Sequence, residues 1–210
     1  MRRTRRRIAC SSLAAVFFVA AGSSEATLID LGRATRDLDA GLDWLDLTET
    51  VGFSFNEIIG GAGGLLDAGW TFATGSQVCD LISRHALAPS PCPTPLDDFM
   101  FGEGNINEPL IELLGVTELN LGGKTSTGIF DNGSDPLGRA FLYFEATSNL
   151  SISAIWESHA LFSPTFKNPS VGSFLIRPVP EPVAGLSFML GLLAIAFMRS
   201  WSRDRRPTSR

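Results

Sequence analysis

Short runs of alternating apolar and polar residues recur along the chain, a pattern typical of strands with one buried face. The clearest run is 42–47, LDWLDL, in which apolar and acidic residues nearly alternate. Later segments are rich in aromatic and β-branched residues and end at turn residues, which also favours strands. The predicted strands are 27–31, 42–47, 139–147, 150–156 and 172–176, with 69–74 as a strand or an extended turn.

Two short helices are predicted early in the chain. Ser54 is followed three residues later by Glu57, a capping-box spacing that predicts the start of a helix. Ser76 is predicted to cap a second helix, with an apolar face at helical spacing over 78–82. Because the helices come early and the strands late, we predict an α+β fold that is mainly antiparallel sheet. An all-β sandwich is the alternative.

The N-terminus has the three parts of a secretory signal peptide. Five arginines precede a short apolar run, 13–21, and small residues follow it. We predict cleavage by signal peptidase after Ala26, so that 1–26 is the signal peptide, with cleavage after Ala21 as the competing choice. An uncleaved anchor is the alternative, although the run is much shorter than the ~20 residues of a spanning helix.

The C-terminus carries a second hydrophobic segment. Residues 183–198 form an uncharged apolar stretch, and the arginine-rich tail 199–210 follows. A helix of this length spans about 24 Å, less than the ~30 Å hydrocarbon core, so a marginal transmembrane helix is predicted. The tail arginines are predicted to stay cytoplasmic, which would place the middle of the chain outside the inner membrane.

A short motif, Val179-Pro180-Glu181-Pro182, stands directly before this apolar segment. Motif, apolar helix and basic cluster, in this order over 179–210, resemble the PEP-CTERM sorting signal of Gram-negative bacteria. The resemblance implies recognition of the motif by an exosortase. It also implies a precursor held in the inner membrane through 183–198 and then released to the cell surface or extracellular matrix of an exopolysaccharide producer. The alternative is a tail-anchored periplasmic protein with a chance Pro-Glu-Pro.

The segment 27–178 between these signals is predicted to be one exported globular domain. It holds seven basic and nineteen acidic residues, a net charge of −12. This charge argues against nucleic acid as a partner, because phosphates require a basic surface. Cys79 and Cys92 are the two cysteines of this segment, and an even pair in an exported domain predicts a disulfide. Two free thiols are the alternative.

The order of elements in this domain carries a further resemblance. A strand with Trp44, a helix, the segment 69–74 (GWTFAT), a second helix and late strands are similar to C-type-lectin-like modules of bacterial adhesins. Phe72 and Ala73 stand where such modules usually carry Leu and Pro. The resemblance implies a binding module.

Three sets of residues are candidates for ligand binding. A carbohydrate-stacking platform, with burial in the core as the alternative, could be formed by Trp44, Trp70 and Trp156. A weak candidate for a Ca²⁺ site is the oxygen-rich turn formed by Asp131, Asn132, Ser134 and Asp135. The alternative is that this turn is simply solvated. The same two interpretations apply to an early acidic group, Asp37, Asp39, Asp43 and Asp46. No cofactor is otherwise expected.

No catalytic constellation is recognisable in the sequence. The two histidines, His85 and His159, are predicted to be ordinary surface or loop residues. We therefore expect a non-enzymatic binding or structural component of the cell surface or of the exopolysaccharide matrix of a biofilm. The alternative is an extracellular carbohydrate-active hydrolase. Such an enzyme needs two carboxylates about 5–9.5 Å apart, and the many acidic residues of this segment could supply them.

Overall fold

The computed structural model describes residues 27–87, 92, 97–120, 122–133, 137–157 and 162–180. Several predicted features lie outside the described residues: Ala26 and the segment 1–26, Ser134, Asp135, His159, Glu181, Pro182, the apolar segment 183–198 and the tail 199–210. Within the described part, no helix is long and apolar enough to cross a membrane.

The described residues form eleven strands and three α-helices. The strands are β1 Leu28–Asp30, β2 Ala34–Asp37, β3 Leu42–Leu45, β4 Thr71–Phe72, β5 Asp97–Glu103, β6 Glu118–Asn120, β7 Gly123–Phe130, β8 Gly138–Glu145, β9 Leu150–Trp156, β10 Gly172–Ser173 and β11 Leu175–Pro178. The helices are α1 Phe55–Ile59, α2 Gly75–His85 and α3 Glu108–Leu114, and 3₁₀ turns lie at Leu47–Glu49 and Ala62–Gly64.

The strands are arranged in two sheets. The first has the order β1-β2-β3-β11-β4, all antiparallel, so that the last strand lies between two early ones. The second has the order β10-β7-β8-β9-β5, with β6 paired to β7, and it is antiparallel except for the pair β10–β7. The predicted α+β class with mainly antiparallel sheet is confirmed.

The largest hydrophobic cluster joins the two sheets through α2 and α3. Burial alternates along β8, so one side of the second sheet faces the helices, as expected for a sheet with one buried face. Helix α3 contacts β2 of the first sheet and both β7 and β8 of the second. The first sheet contributes Trp44 and Ile176, and Phe174 lies against Trp44 with ring planes at 88°. Burial of each such large apolar side chain stabilises the fold by about 1.5–3 kcal/mol.

Both predicted helices are present, but one begins at a different residue. Ser54 caps α1 through the predicted capping box with Glu57. Helix α2 is capped by Thr74, not by Ser76. Thr74 has extended backbone angles, and its side chain accepts a hydrogen bond from the Gln77 backbone N–H. In return, the Gln77 side-chain oxygen accepts a hydrogen bond from the Thr74 backbone N–H. Ser76 is already helical, so it cannot serve as the N-cap.

A third helix and several strands are additional to the sequence prediction. No element was predicted for the segments that form α3, β2 and β5. Leu110, Ile111 and Leu114 are buried, at helical spacing. The expectation of two early helices is therefore corrected to two early helices and one in the middle of the chain.

Candidate functional site

Side chains on β8 alternate between the two sides of the second sheet. Residues 140, 142 and 144 belong to the core, so Arg139, Phe141 and Tyr143 point to the outward side. On β9, Trp156 is paired with Arg139 and therefore lies on the same side. Three rings and one guanidinium thus share this side on two neighbouring strands.

Strand β5 extends the outward side. Phe99 and Phe141 are both paired with Ala154 of β9, so the three residues lie side by side across the sheet. Phe101 and Tyr143 are aligned in the same way through Ile152. Phe99 and Phe101 are 45% and 63% exposed, with ring centroids 4.5 Å apart. We call the rings on this side the aromatic face: Phe99, Phe101, Phe141, Tyr143 and Trp156. Large apolar side chains clustered in solvent are typical of binding surfaces.

Two rings of the aromatic face have a defined mutual orientation. The planes of Phe141 and Tyr143 are parallel to within 7°, with centroids 6.2 Å apart. The Tyr143 ring lies over Gly123, where a Cβ would come within 2.4 Å of its Cε2 atom. Burial, followed by the charge of Glu145, raises the pKa of Tyr143, so its hydroxyl stays protonated at neutral pH and can donate a hydrogen bond.

An open cleft of about 650 Å³ lies along the outward side. The sheet supplies Thr125, Thr127, Arg139, Phe141 and Tyr143 to its lining. The segment 162–171 supplies the opposite wall, with the rings of Phe162 and Phe166 and the polar side chains of Asn168 and Ser170. Glu118 of β6 also lines the cleft. Its lining therefore combines ring faces with hydrogen-bonding groups, a composition typical of ligand sites.

Arg139 lies among three aromatic rings at this cleft. Its guanidinium carbon is 5.5 Å from the ring centroid of Phe141, 5.3 Å from that of Trp156 and 5.1 Å from that of Phe162, all within cation–π range. Its Nε atom is buried and has no hydrogen-bond acceptor. Burial lowers the pKa of Arg139, because the charged form is partly removed from water.

The three tryptophans do not form one platform. Trp44 and Trp70 are 1% and 6% exposed and belong to two different core clusters. Trp156 is half-buried on the aromatic face. The proposed carbohydrate contact is therefore wrong for Trp44 and Trp70, because each is enclosed by side chains of the protein. Trp156 alone of the three lies where a ligand could reach.

The predicted disulfide is confirmed. The Sγ atoms of Cys79 and Cys92 are 2.09 Å apart, and the Cα atoms are 6.0 Å apart. The bond joins α2 to Cys92, which stands between α2 and β5 in the sequence.

The described calcium candidates take part in local hydrogen bonds. Asp131 accepts the Gly133 N–H at 2.7 Å, and the Asn132 amide donates to the Glu157 carbonyl. In the described ranges, no group of three or more His, Cys, Asp or Glu residues is placed to hold a metal ion.

The early acidic group is largely paired within the first sheet. Buried Asp43 accepts hydrogen bonds from Arg36 and Arg177, and their charges hold the pKa of this carboxyl below its usual range. Buried Asp37 pairs with Arg84 of α2 at 2.8 Å. Asp39 accepts the Thr27 N–H at 3.1 Å. These contacts give three of the four acids a structural role.

Asp46 differs from the other early acids. It is half-buried, and its Oδ1 atom is enclosed without a hydrogen-bond donor. Burial, together with the charges of Asp30 and Glu49, raises the pKa of Asp46 to about 6. Asp46 is not among the residues that line the cleft.

His85 is the last residue of α2 and its side chain is largely buried, whereas a surface or loop residue was predicted. Its side chain is 7% exposed, and its Nε2 atom lies 3.9 Å from Asp37. Burial is the main cause that lowers the pKa of His85, so the neutral imidazole is favoured.

The described fold ends at the predicted sorting motif. The Val179 N–H donates to the Gly41 carbonyl at 2.9 Å, directly after β11, and Pro180 is exposed. Glu181 and Pro182 lie outside the described residues.

Comparisons with models of known protein families, with curated proteins and with solved structures found no match to this chain.

Sequence reasoning missed most residues of this site. Arg139, Phe141 and Tyr143 were contained in a correctly predicted strand, but no motif distinguished them. Phe99 and Phe101 were in a segment with no predicted element. The pattern aromatic–x–aromatic at 99–101 and at 141–143 was the available signal, since residues two apart on a strand share a face.

Proposed function

We propose that this chain is an exported, non-enzymatic protein of the cell surface or extracellular matrix, sorted by an exosortase, that binds exopolysaccharide through the aromatic face. One observation carries the binding proposal: exposed and half-buried rings lie on one side of a sheet, beside a cleft with polar walls. Such an amphipathic surface suits a sugar polymer, whose ring C–H groups are apolar and whose hydroxyls form hydrogen bonds.

The dimensions of the aromatic face suit a chain rather than a single sugar. Phe99 and Phe101 lie on β5, three strands from β7. Strand β7 contributes Thr125 and Thr127 to the lining of the cleft. Neighbouring strands are about 4.8 Å apart, so the rings and hydroxyls cover roughly 14 Å across the sheet from β7 to β5. A ligand of several sugar units would contact the whole of this width.

The cleft supports binding in preference to hydrolysis. Among the described residues that line it, Glu118 is the one carboxylate. Glycoside hydrolysis generally uses a pair of carboxyl groups flanking the scissile bond. The acid with the raised pKa, Asp46, lies elsewhere.

The binding proposal is tested with the full-length chain in a polyoxyethylene detergent, because alkyl glycoside detergents would compete with sugars. Neutral and acidic polysaccharides are titrated into the protein, and the dissociation constant is measured by calorimetry. The double variant Phe101→Ser/Phe141→Ser is expected to weaken binding at least about tenfold, since each lost ring contact is worth about 0.5–1.5 kcal/mol. Leu38→Ser, which removes a side chain 52% exposed on the β2–β3 turn, is the matched control.

Two outcomes would contradict this proposal. Binding that is unchanged in the double variant would place the ligand elsewhere on the molecule. Release of new reducing ends from a polysaccharide by the wild-type protein, but not by a variant with Glu118→Gln, would favour the hydrolase alternative.

A further inference from the structure

Positive charges in 27–178 are almost all paired with carboxylates. All seven basic residues of this segment lie in the described part, and six of them form ion pairs: Arg33, Arg36, Arg84, Lys124, Lys167 and Arg177. Arg139 forms no ion pair with any described carboxylate. This is unexpected, because the segment contains nineteen acidic residues and only seven basic ones. A cation without a carboxylate partner among the described residues of so acidic a segment requires a specific explanation.

The surroundings of Arg139 make its lack of a partner costly. Its guanidinium is enclosed on its flanks by Phe141, Trp156 and Phe162, and its Nε atom is buried without an acceptor. A buried charge normally needs both a counter-charge and hydrogen bonds. The three rings orient the guanidinium and attract it weakly, but a ring cannot replace the oxygen acceptor that the buried Nε–H lacks among the described residues.

We propose that Arg139 binds a carboxylate of the ligand, so that the exopolysaccharide recognised by the aromatic face is an acidic one with uronic-acid units. This inference rests on the proposed function. A planar guanidinium and a carboxylate match in geometry, and the pair forms strong charge-assisted hydrogen bonds. The rings that flank Arg139 are themselves part of the sugar-contacting surface, so one sugar unit can pack on a ring while its carboxylate reaches the guanidinium.

The rest of the cleft restricts where the carboxylate can lie. Glu118 is paired across the sheet with Thr125, which is paired with Tyr143. Tyr143 is four residues from Arg139 on β8, so Glu118 and Arg139 are separated by about 13 Å along the strand direction. A ligand carboxylate would be repelled near Glu118 and attracted near Arg139. The net charge of −12 also repels polyanions as a whole, so acidic polymers without sugar rings gain little from this surface.

The test compares two ligands that differ only in charge. An oligogalacturonate and its carboxyl-reduced, neutral counterpart are titrated into the full-length protein in the same detergent, and poly-glutamate serves as a polyanion without sugar rings. Wild-type protein is expected to bind the acidic oligosaccharide at least about tenfold more tightly than the neutral one, and the preference is expected to fall with added salt. Arg139→Gln is expected to weaken binding of the acidic oligosaccharide by about 10- to 100-fold and to weaken binding of the neutral one by much less, so that the preference for the acidic oligosaccharide is lost.

Two further variants support the interpretation. Arg33→Gln removes the same charge from a residue between β1 and β2 whose side chain is 76% exposed, and this variant is expected to bind as the wild type does. Arg139→Lys keeps the charge but loses the planar pair of donors, so an intermediate loss is expected. If Arg139→Gln fails to fold, as shown by thermal unfolding, Arg139→Lys decides the result.

The outcomes separate this inference from the proposed function. Equal binding of both oligosaccharides that is insensitive to Arg139 but lost in Phe101→Ser/Phe141→Ser overturns the inference and keeps the binding face. Poly-glutamate bound as tightly as the oligogalacturonate shows that no sugar is needed, which overturns the ligand class. No binding of either oligosaccharide or of any polysaccharide in the panel overturns both proposals.

Discussion

Individual side chains in this protein owe their ionisation to partners distant in the sequence. Asp43 and Asp46 are three residues apart and both partly or fully buried, yet their pKa values shift in opposite directions. Asp43 is paired with two arginines, one of them Arg177, which lies 134 residues further along the chain. Asp46 is enclosed near other acids. Burial without a partner raises the pKa of a carboxyl, and a nearby cation lowers it.

This difference predicts a pH-dependent effect of Asp46→Asn on stability. The pKa of Asp46 is about 6 in the folded protein and 3.8 in an unpaired carboxyl, so the folded state holds the proton more tightly. The ionised carboxyl therefore opposes folding above about pH 6, and this cost disappears as the pH falls toward 4. Asp46→Asn is expected to raise Tm at pH 7.5 and to lose that advantage near pH 4.

Thermal unfolding of the full-length protein from pH 4 to 8 checks this expectation. Asp67→Asn, which neutralises an exposed acid, is the control for the change in net charge. A Tm difference for Asp46→Asn that stayed constant over this pH range would contradict the assignment of the raised pKa to Asp46.

At the scale of elements, local signals predicted some boundaries and missed others. Strand β9 occupies the predicted residues, and α1 has the predicted capping box, because both signals depend on neighbouring residues alone. Helix α3 has only seven residues. Over so short a run, periodicity cannot distinguish a buried helix from a buried strand. Strand β5 is paired only with β9 in the described sheet, a partner that local sequence cannot reveal.

The start of α2 allows a direct comparison of two neighbouring residues. Thr74 and Ser76 are both exposed, but only Thr74 accepts a hydrogen bond from the N3 backbone N–H. Thr74→Ala is expected to reduce the free energy of unfolding by about 1 kcal/mol, and Ser76→Ala is expected to change it by less than about 0.5 kcal/mol.

Urea unfolding of the full-length chain, followed by tryptophan fluorescence, measures both variants. A larger loss for Ser76→Ala than for Thr74→Ala would mean that Ser76 is the N-cap, as the sequence alone had suggested.

At the scale of the whole molecule, the predicted sorting motif stands directly after the last strand of the described fold. Strand β11 lies between β3 and β4, and Val179 is bonded to Gly41, so the described fold is complete just before Glu181. Cleavage near the motif would therefore leave every described strand in place. This arrangement supports the proposed sorting by an exosortase, because the described strands do not depend on the residues after the motif.

Expression of the full chain in a Gram-negative host with an exosortase tests that proposal. The released protein is expected to lack 1–26 and to end near Pro180, as measured by its intact mass. A variant with Glu181→Ala is expected to remain in the membrane fraction. A wild-type product that stays in the membrane and retains Arg210 would contradict sorting and favour a tail-anchored periplasmic protein.

The sequence by itself determined the position of β9 and the cap of α1, because both depend on neighbouring residues. The order of its segments indicated the α+β class, and an even pair of cysteines in the domain indicated the bond between Cys79 and Cys92. Only the tertiary structure decided that Trp44 and Trp70 are core residues and that Arg139 lies among rings without an ion pair to a described carboxylate. The physical reason is that exposure and pairing depend on strand register and on the side of the sheet that α2 and α3 cover. Both arise from contacts between residues far apart in the chain, which alternation along one strand does not specify.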